Sequence, residues 1–361
     1  MKNPLASLSS IDFSGIALIL AIGFYGGTAA YFVGLPIPFL IGSLVTVAIF
    51  SIVTNAAGRV PPKIPPSMRA AFIAVIGVMI GATFTPDLIT KLPELWPSLL
   101  AMVAFIGAAF FVGFVIFRRI GGYDRVTATY CAMPGGLIES VAIGEAAGGD
   151  VRILSLQHFT RIVLTVLTVP MLFLLWRGEA VGSAAGQAFS SAPSALVDVM
   201  HVVVLAALGY VVGDTLRLPA GRLTGPLILS ALTHGTGIWG TASPTWLLNV
   251  AQLVVGTGLG AMFGGATLSM LVRAVGLGLL SVGSMLALGI AFAVALAQVV
   301  PLDVEALFIS YAPGGVTEMG LIALSLGVSP VIVAVHHVFR IGLTVLFAGL
   351  LNRSHNKRKA P

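Results

Sequence analysis

Residues 134–167 and 313–346 can be laid over one another without a gap at an offset of 179, and 14 of the 34 positions are identical. This internal copy constrains the fold more than any other feature, because whatever the first half builds the second half must build again. Each copy opens on Pro-Gly-Gly followed three residues later by glutamate: Pro134, Gly135, Gly136 and Glu139 against Pro313, Gly314, Gly315 and Glu318. Each continues to a matched His and Arg, His158 and Arg161 against His337 and Arg340. The offset extends backwards to pair Gly77 and Gly81 with Gly256 and Gly260, and Asp124 with Asp303, while "LPIPFLIG" at 35–42 resembles "LPAGRLTG" at 218–225. The halves are thus 1–180 and 196–351, joined by a small-residue linker at 181–195 and followed by a basic tail at 352–361.

The medium follows from the residues between these motifs. Hydrophobic side chains make up 57% of the chain and charged ones 9%, against about 25% charged in soluble domains. Several apolar runs reach the roughly 17–25 residues that cross a hydrocarbon core as a helix, and nothing alternates as barrel strands do. The expected class is an all-α polytopic membrane protein. Its lone cysteine, Cys131, cannot form an intrachain disulfide, and the net charge of +6 reads as positive-inside bias rather than as a nucleic-acid surface.

Loop charge selects the topology. Six full spans per half would strand several basic residues outside, whereas five spans plus a hairpin that enters and leaves on one side put 15 of the 19 Lys and Arg inside. Expected spans are 14–33, 36–54, 69–86, 96–117 and 152–176, then 196–213, 219–235, 246–264, 272–300 and 329–351, with hairpins at 126–148 and 305–327. Five is odd, so the two repeats are inverted. Both termini are expected in the cytoplasm of a bacterial inner membrane, with Lys91 and Arg177 outside. About ten residues on either side of each Pro-Gly-Gly rise only some 15 Å, which makes each hairpin re-entrant.

Proline removes an N–H and clashes with a continuing helix, and glycine tolerates the turn. The restarting helix aims free N–H groups and a positive dipole end at the break, an arrangement suited to anions. Arg161 and Arg340 fall roughly 14–17 Å into their spans, where an ionisable group is functional by default and needs a partner. Glu139 and Glu318 are the expected partners, either in pinning salt bridges or in a site where the guanidiniums hold an oxyanion and a glutamate or histidine titrates. His158, His337 and Glu145 are coupling candidates, Glu145 being unmatched because Leu324 stands in the second copy. Asp124 and Asp303 are expected to cap the first helix of each hairpin.

"PGG" then "E" then "HxxR", twice in one polytopic chain, resembles the bacterial membrane AbrB family, also described as the AbrB duplication family. Members carry labels as ammonia monooxygenase and as transcriptional regulator. The six histidines are scattered, without a metal-binding spacing, and no soluble basic domain is present for DNA. The expected function is therefore a secondary active transporter of a small organic anion, coupled to H+ or Na+, with no metal, no cofactor and no nucleic-acid partner. By analogy with similar hairpin-bearing folds a homodimer is the natural assembly. The alternatives are a monooxygenase-type enzyme, or a membrane component acting indirectly on regulation of gene expression.

Overall fold

The computed structural model describes residues 12–85, 88, 92–178, 196–236 and 244–357. Fourteen α-helices are present among them, and none of these residues forms a strand. The linker at 181–195, Lys91 and residues 358–361 of the expected tail lie outside the described residues.

The first half comprises α1 (Phe13–Phe32), α2 (Pro38–Ala56), α3 (Pro66–Gly81), α4 (Trp96–Val115), α5 (Arg125–Cys131), α6 (Leu137–Ala146) and α7 (Val151–Arg177). The second comprises α8 (Leu196–Thr215), α9 (Gly221–Gly235), α10 (Thr245–Ala261), α11 (Leu268–Leu296), α12 (Val304–Tyr311), α13 (Val316–Ser325) and α14 (Pro330–Lys357). Seven helices, or helical runs in the case of α4 with its flanking turns, are long and apolar enough to cross a membrane. The chain is that of a polytopic membrane protein.

Two expected spans are shorter than the sequence suggests. The stretch 69–86 is helical only over Pro66–Gly81, and 246–264 only over Thr245–Ala261. Prolines fix both starts, Pro66 at the head of α3 and Pro244 just before α10. Sixteen or seventeen residues rise about 24–26 Å, short of a hydrocarbon core. At the other end of the chain, α14 runs on to Lys357, through the start of the expected tail.

Close backbone approach explains the paired glycines on α3 and α10. A side chain at Gly77 or Gly81 would strike the carbonyls of Leu223 and Leu227 on α9, and one at Gly256 or Gly260 those of Leu40 and Leu44 on α2. Each half thus lends a helix to the other: α3 packs on α9, and α10 on α2. The tight turns ahead of α2 and α9 also correspond, with left-handed residues at Gly34 and Ile37 and at Arg217 and Ala220, 183 positions apart. The main core gathers buried residues from both halves, including Met79, Phe105, Val166, Leu286, Tyr311 and Ile322.

Candidate functional site

Each Pro-Gly-Gly breaks a helix into two short arms. α5 ends at Cys131 and α6 begins after Gly136; α12 ends at Tyr311 and α13 begins after Gly315. The expected caps are met unequally. Asp124 accepts from the backbone N–H groups of Val126 (2.9 Å) and Thr127 (3.0 Å), whereas Asp303 stands at the N-cap of α12 without a side-chain capping bond. Gly148 and Gly327 close the hairpins with φ of 91° and 69°, values only glycine adopts without strain.

The carbonyls of each Pro-Gly-Gly turn have no place in a helix and need donors from elsewhere, and the arginines meet them. Arg161 on α7 donates to the carbonyls of Met133 and Gly135, both at 2.6 Å. Arg340 on α14 donates to those of Ala312 (2.5 Å) and Gly314 (2.7 Å). All four acceptors correspond at the offset of 179. The histidines one turn earlier do the same: the ring Nε2–H of His158 donates to the Tyr130 carbonyl (2.8 Å) and that of His337 to the Ile309 carbonyl (3.0 Å). Carbonyls only accept, so both rings carry a proton on Nε2.

This corrects the expectation of arginine–glutamate pairs. Both forks close on turn carbonyls, and the carboxylates of Glu139 and Glu318 fold back against Gly136 and Gly315, the N-caps of their own helices. Each glutamate is the third residue of its helix, where a carboxylate reaches the free N–H groups and the positive dipole end. The helix N-termini read as an anion site are thus already faced, at each tip, by a carboxyl group of the same helix.

The two tips are set against the opposite half. Gly135 lies on the Thr344 side chain of α14, one turn beyond Arg340, and α6 as a whole packs on α14. Reciprocally, α13 touches α7, the helix that carries Arg161. Pro134, Gly135, Pro313 and Gly314 are buried, Gly136 and Gly315 half-buried. Glu145 is exposed on α6 and joins none of these contacts.

Three adjoining cavities open beside this core. One of about 600 Å³ is lined by Asp12, Lys63 and Arg69 among others. It shares Met262 with a second of about 310 Å³, which in turn shares Arg152, Leu156 and Met270 with a third of about 210 Å³ that includes Tyr123 and Arg273. Four cations thus line the chain of cavities against Asp12 and Asp150, both occupied in capping helices.

Sequence reasoning passed over three residues that tie down the second tip. The Tyr311 hydroxyl donates to the Ser98 carbonyl (2.5 Å), and the Ser98 hydroxyl meets His336 Nε2 at 2.8 Å, while His336 Nδ1 donates to the Ile332 carbonyl (2.8 Å). Serine and tyrosine in membrane helices are too common to single out. His336 had the one usable signal, a ring beside the matched histidine.

The family model described as transition state regulatory protein AbrB matches residues 51–355. Among curated proteins the chain is 26% identical over 310 residues, 85% of each chain, to "Putative regulator AbrB" of Escherichia coli (strain K12). It is also 26% identical over 367 aligned positions, 94% of each, to "Uncharacterized protein YhjN" of Bacillus subtilis (strain 168). With the model covering most of the sequence and both hairpin motifs, the chain belongs to the AbrB family.

Proposed function

We propose that this protein is a secondary active transporter of a small organic anion, built from two inverted repeats of five spans and one re-entrant hairpin each, with both termini in the cytoplasm. The observation that carries the reading is the seating of the Gly135 tip on Thr344, one turn beyond Arg340 on α14, while α13 lies against α7. Non-helical backbone at membrane depth persists only against protein or a water-filled cavity, and paired broken helices are where transporters place substrate and coupling ion. The three cavities lie on the cytoplasmic side of this topology, and their cationic lining favours an anion.

In this mechanism the arginine forks shape the tips rather than grip the substrate. What remains for the ligand is the guanidinium Nε of Arg161 and Arg340, which are buried without a partner, together with the helix N-termini once Glu139 or Glu318 gives way. A substrate anion displacing a carboxylate that then takes up H+ or Na+ is a direct way to couple the two. His337 is a poor proton carrier, since its Nδ1 accepts from Arg340 at 2.8 Å and protonation would set two cations in contact. The regulatory name of the family is read as indirect, through the metabolite moved. The chain is taken as non-enzymatic, because His336 and His337 spend both ring nitrogens on protein partners.

Reconstitution in liposomes tests the proposal. Labelled mono- or dicarboxylates should enter under a proton or sodium gradient above the empty-vesicle rate, and Arg340→Lys, which keeps the charge but loses the fork, should slow entry at least tenfold. Absence of flux for every anion under either gradient overturns the reading, and stoichiometric copper or iron in the purified protein would reopen the enzyme alternative.

A further inference from the structure

The two arginine helices differ in what they leave unpaired. On α7, Gln157, His158 and Arg161 are buried, and each keeps one polar atom without a protein partner: Oε1, Nδ1 and Nε respectively. On α14 the counterparts of the first two are satisfied, His336 through Ser98 and Ile332 and His337 through Ile309 and Arg340. A buried polar atom left unpaired is costly, and with Thr160 Oγ1 this helix carries four of them, a cluster that an occupant would relieve. Helical spacing puts residues 157, 158 and 161 within about 100° of one face.

Access is also on this side. Gln157, only 2% exposed, lines the cavity of about 210 Å³ together with Tyr123, Asp150, Arg152, Met270 and Arg273. Its Nε2 donates to the Tyr123 hydroxyl (2.9 Å), which leaves Oε1 as an acceptor. Arg273 lies over the Tyr123 ring, 5.1 Å from its centre, and the exposed Arg152 is a second basic side chain in the lining. Asp150 is turned to the N–H groups of Arg152 and Ile153.

We infer that the transported ligand is held asymmetrically, against α7, and that it is a carboxylate which also bears a hydroxyl or ammonium donor. The donor–acceptor pattern sets this class. His158 is a donor at Nε2 and therefore an acceptor at Nδ1; with Gln157 Oε1 it offers two acceptors, while Arg161 Nε–H offers a charged donor. A plain carboxylate would satisfy the arginine and leave both acceptors empty. The inference rests on the transport reading and assigns which half of that site makes the polar contacts.

Calorimetry on the purified full-length chain tests it with matched probes: propionate, lactate and alanine, then succinate, malate and aspartate. The donor-bearing members of a set should bind at least tenfold more tightly than the plain acid. Gln157→Leu should abolish that preference while retaining binding of the plain acid, and Gln157→Glu, of equal size, should repel all of them. Equal affinities across both sets in the wild-type protein overturn the inference and leave anion transport standing. Binding of none of the six overturns the transport reading itself. If Gln157→Leu fails to fold, the wild-type comparison and Gln157→Glu still decide.

Discussion

The two hairpins share a motif and differ in their surroundings. α13 and the turn before it are buried almost throughout, with Thr317 9% exposed, whereas the matching Ile138 on α6 is 65% exposed. The second tip is locked to α4 through Tyr311, Ser98 and His336; at the corresponding positions of the first stand Ala132, Leu277 and Gln157, which form no such network. Arg340 is braced by His337 Nδ1, while His158 Nδ1 has no partner. One hairpin is thus tied to the scaffold through three side chains, and the other is less braced and more exposed along its second arm, α6. Both copies keep the arginine clamp and the histidine–carbonyl bond beside it, while the side chains that brace each tip differ.

The largest effect that would sharpen this contrast is loss of the clamp. Arg340→Ala strands two turn carbonyls and a ring nitrogen in a dry environment, an expected loss of roughly 3 kcal/mol or more. Arg161→Ala should lose less, because it strands two turn carbonyls but no ring nitrogen, His158 Nδ1 having no bond to the guanidinium. Thermal unfolding in detergent should rank Arg340→Ala below Arg161→Ala, and the reverse order would break the comparison. Next in size, Tyr311→Phe removes the hydroxyl that holds the second tip, at about 1–1.5 kcal/mol, with no counterpart to delete in the first. Hydrogen exchange should then show α12 and α13 opening toward the level of α5 and α6.

Capping gives the smallest contrast. Asp124→Ala should cost about 1 kcal/mol and Asp303→Ala only a few tenths, since Asp303 makes no capping bond. Burial pushes the Asp124 carboxyl up, but hydrogen bonds from the Thr127 side chain and from the backbone of Thr127 and Val126 outweigh it and hold it below its usual value. A depressed carboxyl stabilises the fold above its unfolded-state value, and that contribution is lost as pH falls through the folded one. Acidification below about pH 4 should therefore loosen the first hairpin before the second, as read by proteolysis within 125–147 against 304–326, and Asp124→Asn should remove the dependence.

Much of this was legible in the sequence, for physical reasons. Hydrophobic run length reports on the bilayer, and Pro-Gly-Gly breaks a helix wherever it falls, so the membrane class, the breaks and the place of the arginines partway along long helices could be read directly. The partners of Arg161 and Arg340 could not. A guanidinium suits a carboxylate as well as a pair of carbonyls, and the choice depends on Glu139 and Glu318 folding back on their own helix ends, which is a matter of three-dimensional placement. Nor could the sequence distinguish Ile138 from Thr317 by burial, because exposure is set by which helices of the other half lie alongside. Gln157 could not be singled out either, because a glutamine beside a histidine carries no sign of which amide atom the fold leaves without a partner.

The account centres on two re-entrant hairpins entering from opposite faces, and cysteine accessibility tests this most directly. In a Cys131→Ala background, single cysteines at Arg125 and Ala146, the ends of the first hairpin, should react with a membrane-impermeant maleimide only from the cytoplasm. Cysteines at Asp303 and Val328, the ends of the second, should react only from outside. Labelling of the two ends of either hairpin from opposite sides would make it a full span, and labelling of both hairpins from the same side would make the repeats parallel; either result contradicts the account.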